Sequence, residues 1–248
     1  MPREVNVHLL PSHFEPQALR GGIAVVIDLL RATTTIVAAL AHGACCVLPC
    51  GDIETARRTA AGLPVGNVLL GGERGGVRIE SFDLDNSPAA YTAERVAGKT
   101  IVFTTTNGTA ALLRSREAAR VLVCSLVNRR AVAQTIAADD RPVHLVCAGT
   151  NGHVTAEDFV AAGAIVAELE VVLGNTASGN DAALLAKELW IAESTTSERL
   201  LSILRRSRGG SNLVELGFDR DIEFASQVDS FDLVAEYFPQ TGDVRTVR

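Results

Sequence analysis

Asp28 ends an apolar run, Val25-Val26-Ile27, and Arg31 and three hydroxyls, Thr33, Thr34 and Thr35, follow it. A carboxylate at such a point suits a cation or a water. A guanidinium and hydroxyls suit an anion. Three further stretches have the same character. Glu73 and Arg74 lie between the glycine pairs Gly71-Gly72 and Gly75-Gly76, where the chain can approach a ligand closely. Thr104-Thr105-Thr106-Asn107-Gly108 follows the apolar Ile101-Val102-Phe103, and Thr150, Asn151, Glu157 and Asp158 follow Val143 to Ala148. Carboxylate and amide oxygens suit a hard cation such as Mg2+, while arginines and helix N-termini suit phosphate or sulfonate.

Each of these side chains also has a plain structural use. Asp28 and the threonines are placed to cap a helix, and Arg31 is placed to pair with Asp28. Asp83 and Asp85 fit a turn, and Glu157 and Asp158 favour a helix dipole. His153 is an acid–base candidate that also fits an ordinary loop. Neither the phosphate loop ending in lysine–threonine nor the dinucleotide fingerprint is present, and no serine sits in a strand–turn–helix nucleophile pattern. The residues alone therefore support an α/β enzyme with an anion site assisted by a metal.

Strands and helices alternate through the first two thirds of the chain. Apolar runs predict strands at residues 5–10, 23–29, 45–49, 67–70, 99–103, 121–126 and 143–148. Helices are predicted over 33–42, 53–61, 88–96, 110–113, 130–138 and 156–172, with Asp52 capping the second, Ser87 the third, and Thr155 with Asp158 forming a capping box for the last. After a loop at 174–179, helices over 181–191 and 197–204 follow. Ser207 to Asn212 reads as a basic, flexible loop, Leu213 to Leu216 as the end of a helix or a turn, Ile222 to Ala225 as a strand, and Leu233 to Phe238 as a last strand before a frayed tail. This pattern predicts an α/β fold, a three-layer α/β/α arrangement with a parallel or mixed central sheet and a helix-rich C-terminal third. No linker interrupts it, so residues 1–248 are expected to form one domain. If the strands are parallel neighbours, the four polar exits converge on one edge of the sheet. The strand–hydroxyl–helix units after Asp28 and after Phe103 resemble an internal repeat.

Among the 248 residues 47% are hydrophobic, enough for a sizeable core. A net charge of −6, a pI near 5.4 and only 4% aromatic residues argue against a nucleic-acid partner, which would want a basic face and stacking rings. No apolar run has the length of a membrane span and no secretory leader is evident, so a cytoplasmic protein is expected. Five cysteines, mostly in apolar runs and without paired metal-ligand spacing, read as free thiols. Long apolar helical runs suggest a homodimer.

The same residues, taken in order, resemble the 2-phosphosulfolactate phosphatase family. The likeness lies in Val26-Ile27-Asp28-Leu29-Leu30-Arg31-Ala32-Thr33-Thr34-Thr35, Gly71-Gly72-Glu73-Arg74, Phe82-Asp83-Leu84-Asp85-Asn86-Ser87-Pro88, Thr104 to Thr109, and Gly149-Thr150-Asn151-Gly152 with Glu157-Asp158. A weaker match runs from Arg208-Gly209-Gly210 to Asp221. Arg129-Arg130 after Asn128, and His153, depart from the family pattern. The resemblance implies a Mg2+-dependent phosphatase acting on the small anionic substrate (R)-2-phospho-3-sulfolactate, a step of coenzyme M biosynthesis. It implies Mg2+ on Asp28, Glu73 and either Asp83 or Asp158, and neutralisation of the substrate by Arg31 and Arg74. Thr33 to Thr35, Thr106, Asn107, Gly108, Thr150 and Asn151 would bind substrate. A water deprotonated by a carboxylate, or Asp28 itself, would attack phosphorus. A phosphatase for another phosphorylated hydroxy acid and a non-catalytic binder of an anionic metabolite are the alternatives.

Overall fold

The computed structural model of the protein describes residues 3–174 and 177–247. The first half of the chain contains β1 (Glu4–His8), β2 (Ile23–Ile27), α1 (Ala32–Ala41), β3 (Cys46–Pro49), α2 (Ile53–Ala61), β4 (Val68–Arg74), β5 (Val77–Arg78), α3 (Ala93–Val96), β6 (Thr100–Thr104) and α4 (Gly108–Arg114). Then come β7 (Arg120–Cys124), α5 (Arg129–Ala137), β8 (Val143–Cys147), α6 (Ala156–Leu173), β9 (Ala177–Ser178) and α7 (Asp181–Glu193). The chain closes with α8 (Ser197–Arg206), α9 (Arg208–Glu215), α10 (Asp219–Ala225), β10 (Val234–Phe238) and β11 (Asp243–Val247).

The strands form one mixed sheet in the order β5-β4-β6-β3-β11-β10-β7-β2-β8-β1-β9, covered by helices in three layers. Two parallel blocks, β4-β6-β3 and β7-β2-β8-β1-β9, are joined by the antiparallel β10–β11 hairpin. Three successive antiparallel pairings leave the blocks running in opposite senses. The polar exits therefore fall into two pairs of adjacent parallel strands, β2 with β8 and β4 with β6, on blocks of opposite sense. A twist of roughly 20–25° per strand, summed over the five steps from β2 to β6, rotates the second block by roughly 100–125° and turns its strand ends back towards β2.

β2 is buried along its length because it pairs on both sides, with β7 and β8. Ile23, Val25 and Ile27 enter a core with Leu122, Val132, Ile136, Ile165 and Leu169, under α5 and α6. Ala24 and Val26 enter another with Ile36, Val37 and Val123, under α1. Each large aliphatic buried this way contributes about 1.5–3 kcal/mol. Asp52 caps α2 as expected, accepting from the Thr55 N–H at 2.7 Å.

Several expectations are corrected. The segment 207–212 is not a loop. Ser207 caps α9, accepting from the Gly210 N–H at 3.1 Å, and the glycine pair lets α9 pack against Leu204 and Glu157, where a Cβ would overlap. Residues 222–225 belong to α10, whose first turn carries Asp219 and Asp221, favourable there for the helix dipole. The tail beyond Phe238 is not frayed; it returns as β11, paired with β10 and β3. β4 extends through the glycines to Arg74, because Gly71 and Gly72 leave room for Tyr91 and the Thr104 backbone. The helix expected over 88–96 is a 3-10 turn, Pro88–Ala90, followed by the short α3; Ser87 donates to Asp221 at 2.6 Å instead of capping it. In the loop expected at 174–179, residues 177–178 form β9, and 175 and 176 lie outside the described residues.

All five cysteines are free, with Cys50, Cys124 and Cys147 buried and Cys45 exposed. Arg129 and Arg130 pair with Asp229 and Glu168. Among the described residues no helix is long and apolar enough to cross a membrane.

α6 and α7 meet at Gly163, where an added Cβ would overlap the Ala186 carbonyl. Helix propensity alone favours alanine over glycine by about 1 kcal/mol. Gly163→Ala is nevertheless expected to destabilise the protein, by about 1–3 kcal/mol from overpacking. Urea unfolding of the two proteins checks the sign.

Candidate active site

A pocket of about 570 Å³ opens where the exits of β2, β4, β6 and β8 meet α9. Asp28, Arg31, Glu73, Thr106, Asn107, Thr150 and Asn151, all expected from the sequence, line it. Leu30, Asn86, Arg206, Arg208, Gly209 and Asn212 complete much of the wall.

Asp28 sits at the end of β2 and is almost wholly buried. Its Oδ1 accepts the Ala32 N–H at 3.0 Å, so the capping role is real. Oδ2 has no hydrogen-bond partner among the described residues. Gly108 opens α4 directly against this carboxylate; a Cβ there would come within 2.6 Å of Oδ2. Gly108 thus serves by its lack of a side chain. Burial, followed by the charges of Glu73 and Glu157, pushes the Asp28 carboxyl up to about 7, against the Ala32 N–H and Arg31.

Glu73 is tied down at both oxygens. Oε1 accepts the Thr106 N–H at 2.7 Å, and Oε2 accepts the Gly76 N–H at 2.7 Å and the Thr106 hydroxyl at 3.2 Å. It thereby joins the exits of β4 and β6. Asn107 Oδ1 accepts the Asn151 N–H at 3.0 Å, which joins β6 to β8.

Asp158 does the same on the other side, though it does not line the pocket. Its Oδ1 accepts the Leu29 N–H and its Oδ2 the Gly149 N–H, each at 2.9 Å. The expected capping box is absent: no side chain caps α6 at Thr155, and Asp158 ties β2 to β8. Burial, then Asp28 and Glu157, hold its carboxyl well above the usual range. Glu157 is also buried, which raises its carboxyl. Its Oε1 accepts the Gly209 N–H at 3.1 Å, and its Oε2 has no partner among the described residues.

Other expected residues turn inward. Thr33 Oγ1 donates to the Asp28 carbonyl at 2.9 Å and accepts its N–H at 3.1 Å. Thr34 donates to the Leu29 carbonyl at 2.8 Å, and Thr35 to the Asn86 carbonyl at 2.9 Å. All three are buried and fasten α1 to its surroundings. Thr105 and Thr109 make a related backbone clasp at the start of α4, so the two strand–hydroxyl–helix units share local geometry. Arg74 donates to the Glu73 carbonyl and to Thr104 Oγ1, outside the pocket lining. Asp83 is exposed and accepts the Leu70 N–H at 2.8 Å, also away from the pocket. His153 is exposed and does not line it.

Arg31 does not pair with Asp28. It is buried, donating to Asp221 Oδ2 at 2.6 Å and the Gly76 carbonyl at 2.8 Å, with its guanidinium 4.4 Å from the centre of the Phe218 ring. The sequence marks Glu157 only as part of a polar strand exit, and assigns Asp221, Asn86, Arg206 and Arg208 no role in the site. The signal for the last two was the basic run Arg205-Arg206-Ser207-Arg208, masked by the glycines that follow it.

Fold and pocket together define an α/β protein with a carboxylate-floored cleft of small-molecule size at its strand exits. Residues 8–239 match the family model described as 2-phosphosulpholactate phosphatase. A relative from Symbiobacterium thermophilum, named a probable 2-phosphosulfolactate phosphatase, is 44% identical over 88% of this chain and 92% of its own length. Relatives of the same name from Clostridium perfringens strain SM101 and Synechococcus sp. strain CC9605 are 38% and 44% identical, covering 98% and 84% of this chain and 96% and 85% of their own. The chain belongs to the 2-phosphosulpholactate phosphatase family.

The raised Asp28 carboxyl has a measurable consequence. Folded Asp28 keeps its proton up to about pH 7, whereas an unfolded aspartate loses it near 3.9. The stability this group adds is full below pH ~4 and is lost as pH rises towards 7. In chelator-treated protein, Asp28→Asn should gain stability relative to wild type across that window. The gap should level off above it at roughly 2–4 kcal/mol. Parallel stability–pH curves for the two proteins would contradict the assignment.

Proposed function

We propose that the protein is a Mg2+-dependent phosphomonoesterase that hydrolyses (R)-2-phospho-3-sulfolactate to (R)-3-sulfolactate and phosphate, the coenzyme M pathway step. The observation that carries the reading is Asp28: a buried carboxylate with one oxygen committed to the backbone and the other unpartnered at the pocket. In hydrolysis the bond from phosphorus to the ester oxygen breaks and a bond to a water oxygen forms. The water's proton must leave, and the ester oxygen must gain one. Without a cation the Asp28 carboxyl stands at about 7; facing one it would be ionised and suited to take the water's proton and return it to the ester oxygen. The N–H groups of Leu30 and Arg31, which find no acceptor among the described residues, flank Asp28 and suit the phosphoryl oxygens.

The donor set fits a divalent cation at two carboxylates. Among the described residues Asp28 Oδ2 and Glu157 Oε2 accept no hydrogen bond, and the charge of Glu157 raises the Asp28 carboxyl. Mg2+ is commonly held by one or two carboxylates, with water and substrate oxygens completing its shell. Among the described residues no group of three or more His, Cys, Asp or Glu side chains is set to hold a metal. Asp158 has both oxygens engaged and Asp83 lies elsewhere. The bound ion would supply positive charge to phosphoryl oxygens. Glu73 keeps the β4 and β6 exits aligned beneath the substrate.

Phosphate release should be Mg2+-dependent and fastest with (R)-2-phospho-3-sulfolactate, compared with 2-phospholactate and p-nitrophenyl phosphate. Release from the last two only would retain the phosphatase and discard the substrate. No release from any of the three, with folded protein and Mg2+ present, would discard both. Asp28→Asn should abolish turnover, and borohydride reduction during turnover separates the two attacks: conversion of the Asp28 carboxyl to an alcohol reports an acyl phosphate and identifies Asp28 as the nucleophile, while direct attack by water leaves it unreduced. Glu157→Gln should weaken Mg2+ binding, followed by calorimetry without substrate, by roughly tenfold or more.

A further inference from the structure

The reading above leaves the substrate's other charges without a counterpart. Arg31 and Arg74 are the arginines that the sequence offers for them, yet both are spent. Arg31 is closed in by Asp221, the Gly76 carbonyl and Phe218, and Arg74 by Glu73 and Thr104. Arg208 differs. It lines the pocket at the first position of α9, is exposed, and makes no hydrogen bond or ion pair among the described residues. Its neighbour Arg206 also lines the pocket and donates only to the Ser202 carbonyl, at 3.3 Å. Glu215 is the acidic residue on this wall, leaving the basic groups in excess. A second sign of a ligand comes from Asn86, which lines the same pocket; its side chain is buried and its Oδ1 has no partner among the described residues, an acceptor open to a donor on the ligand beside the anionic group that faces Arg208.

The wall is also held in place. The Gly209 N–H donates to Glu157, and Gly76 packs so closely on Asn212 that a Cβ there would approach its amide to 3.0 Å. α9 therefore presents Arg208 on a fixed platform beside the acid floor.

We propose that Arg208 is the specificity-determining residue of this pocket, taking an anionic group of the substrate other than the phosphate, a sulfonate or a carboxylate. This assignment rests on the phosphatase reading for its kinetic form. It makes the pocket selective for phosphomonoesters with a second negative charge. An exposed guanidinium binds such a group through charge-assisted, paired hydrogen bonds that an ammonium cannot duplicate.

The test compares wild type, Arg208→Ala and Arg208→Lys on four phosphomonoesters: 2-phospho-3-sulfolactate, 2-phospholactate without the sulfonate, O-phosphoisethionate without the carboxylate, and p-nitrophenyl phosphate with neither. Loss of a charged hydrogen bond predicts that Arg208→Ala lowers the kcat/KM preference for the sulfolactate ester over the aryl ester by roughly tenfold to a hundredfold, mainly through KM. Arg208→Lys should recover part of it. The single-anion esters then tell which group Arg208 holds: the one whose removal makes wild type and Arg208→Ala alike. An unchanged preference, or an equal fall on all four esters, overturns the proposal. Calorimetric binding of 3-sulfolactate separates this outcome from failure of the phosphatase reading. If wild type turns over nothing yet binds 3-sulfolactate and Arg208→Ala does not, the anion site stands alone. If wild type does not bind it and shows no preference among the esters, the site is refuted.

Discussion

Asp158 holds two strand exits with one carboxylate. Its oxygens take the N–H of Leu29 after β2 and of Gly149 after β8, so the two chain segments leave the sheet at a fixed separation. The floor of the pocket depends on that clamp. Asp28 stands one residue before Leu29, and Thr150 and Asn151 directly follow Gly149. A carboxylate that accepts two buried N–H groups is well satisfied as a hydrogen-bond acceptor. It still adds negative charge to a place that water reaches poorly.

That charge is what gives the site its character. Asp28, Glu73, Glu157 and Asp158 are all buried near one another, and the nearest buried guanidinium, Arg31, is committed to Asp221. Backbone N–H groups compensate Asp158 and Glu73, while among the described residues one oxygen each on Asp28 and Glu157 meets no donor. Burial of unpaired charge is unfavourable, and proteins relieve it by protonation or by a bound cation. The protein thus carries an electrostatic debt at its strand exits that a metal and a phosphoryl group could settle together.

Much of this was legible in the sequence. The apolar runs located most strands of the two parallel blocks, and polar residues after four of them do converge on one pocket. Asp28, Glu73, Asn107 and Asn151 declared themselves by type and position. What each hydroxyl does was not legible. Thr33, Thr34 and Thr35 have the chemistry to bind an oxyanion, but a threonine at a strand exit serves a buried carbonyl equally well. Arg31 posed the same difficulty, since its partner Asp221 lies 190 residues away. The C-terminal third was read least well. Glycines at 209 and 210 signal flexibility in isolation, whereas here they permit close helix packing. Nothing in the order of strands along the chain indicates that the β10–β11 hairpin enters the middle of the sheet.

That insertion bears on how the protein comes to exist at all. The two strands that bridge the parallel blocks are drawn from residues 234–247, after every other strand has been made. While the chain is emerging from a ribosome, the β7 and β3 edges have no permanent neighbour, and each is an open template for pairing with another chain. Joining of the two blocks therefore waits until residues 234–247 are available. The interval before the hairpin docks is the period in which a nascent molecule is most exposed to aggregation and has most use for a chaperone.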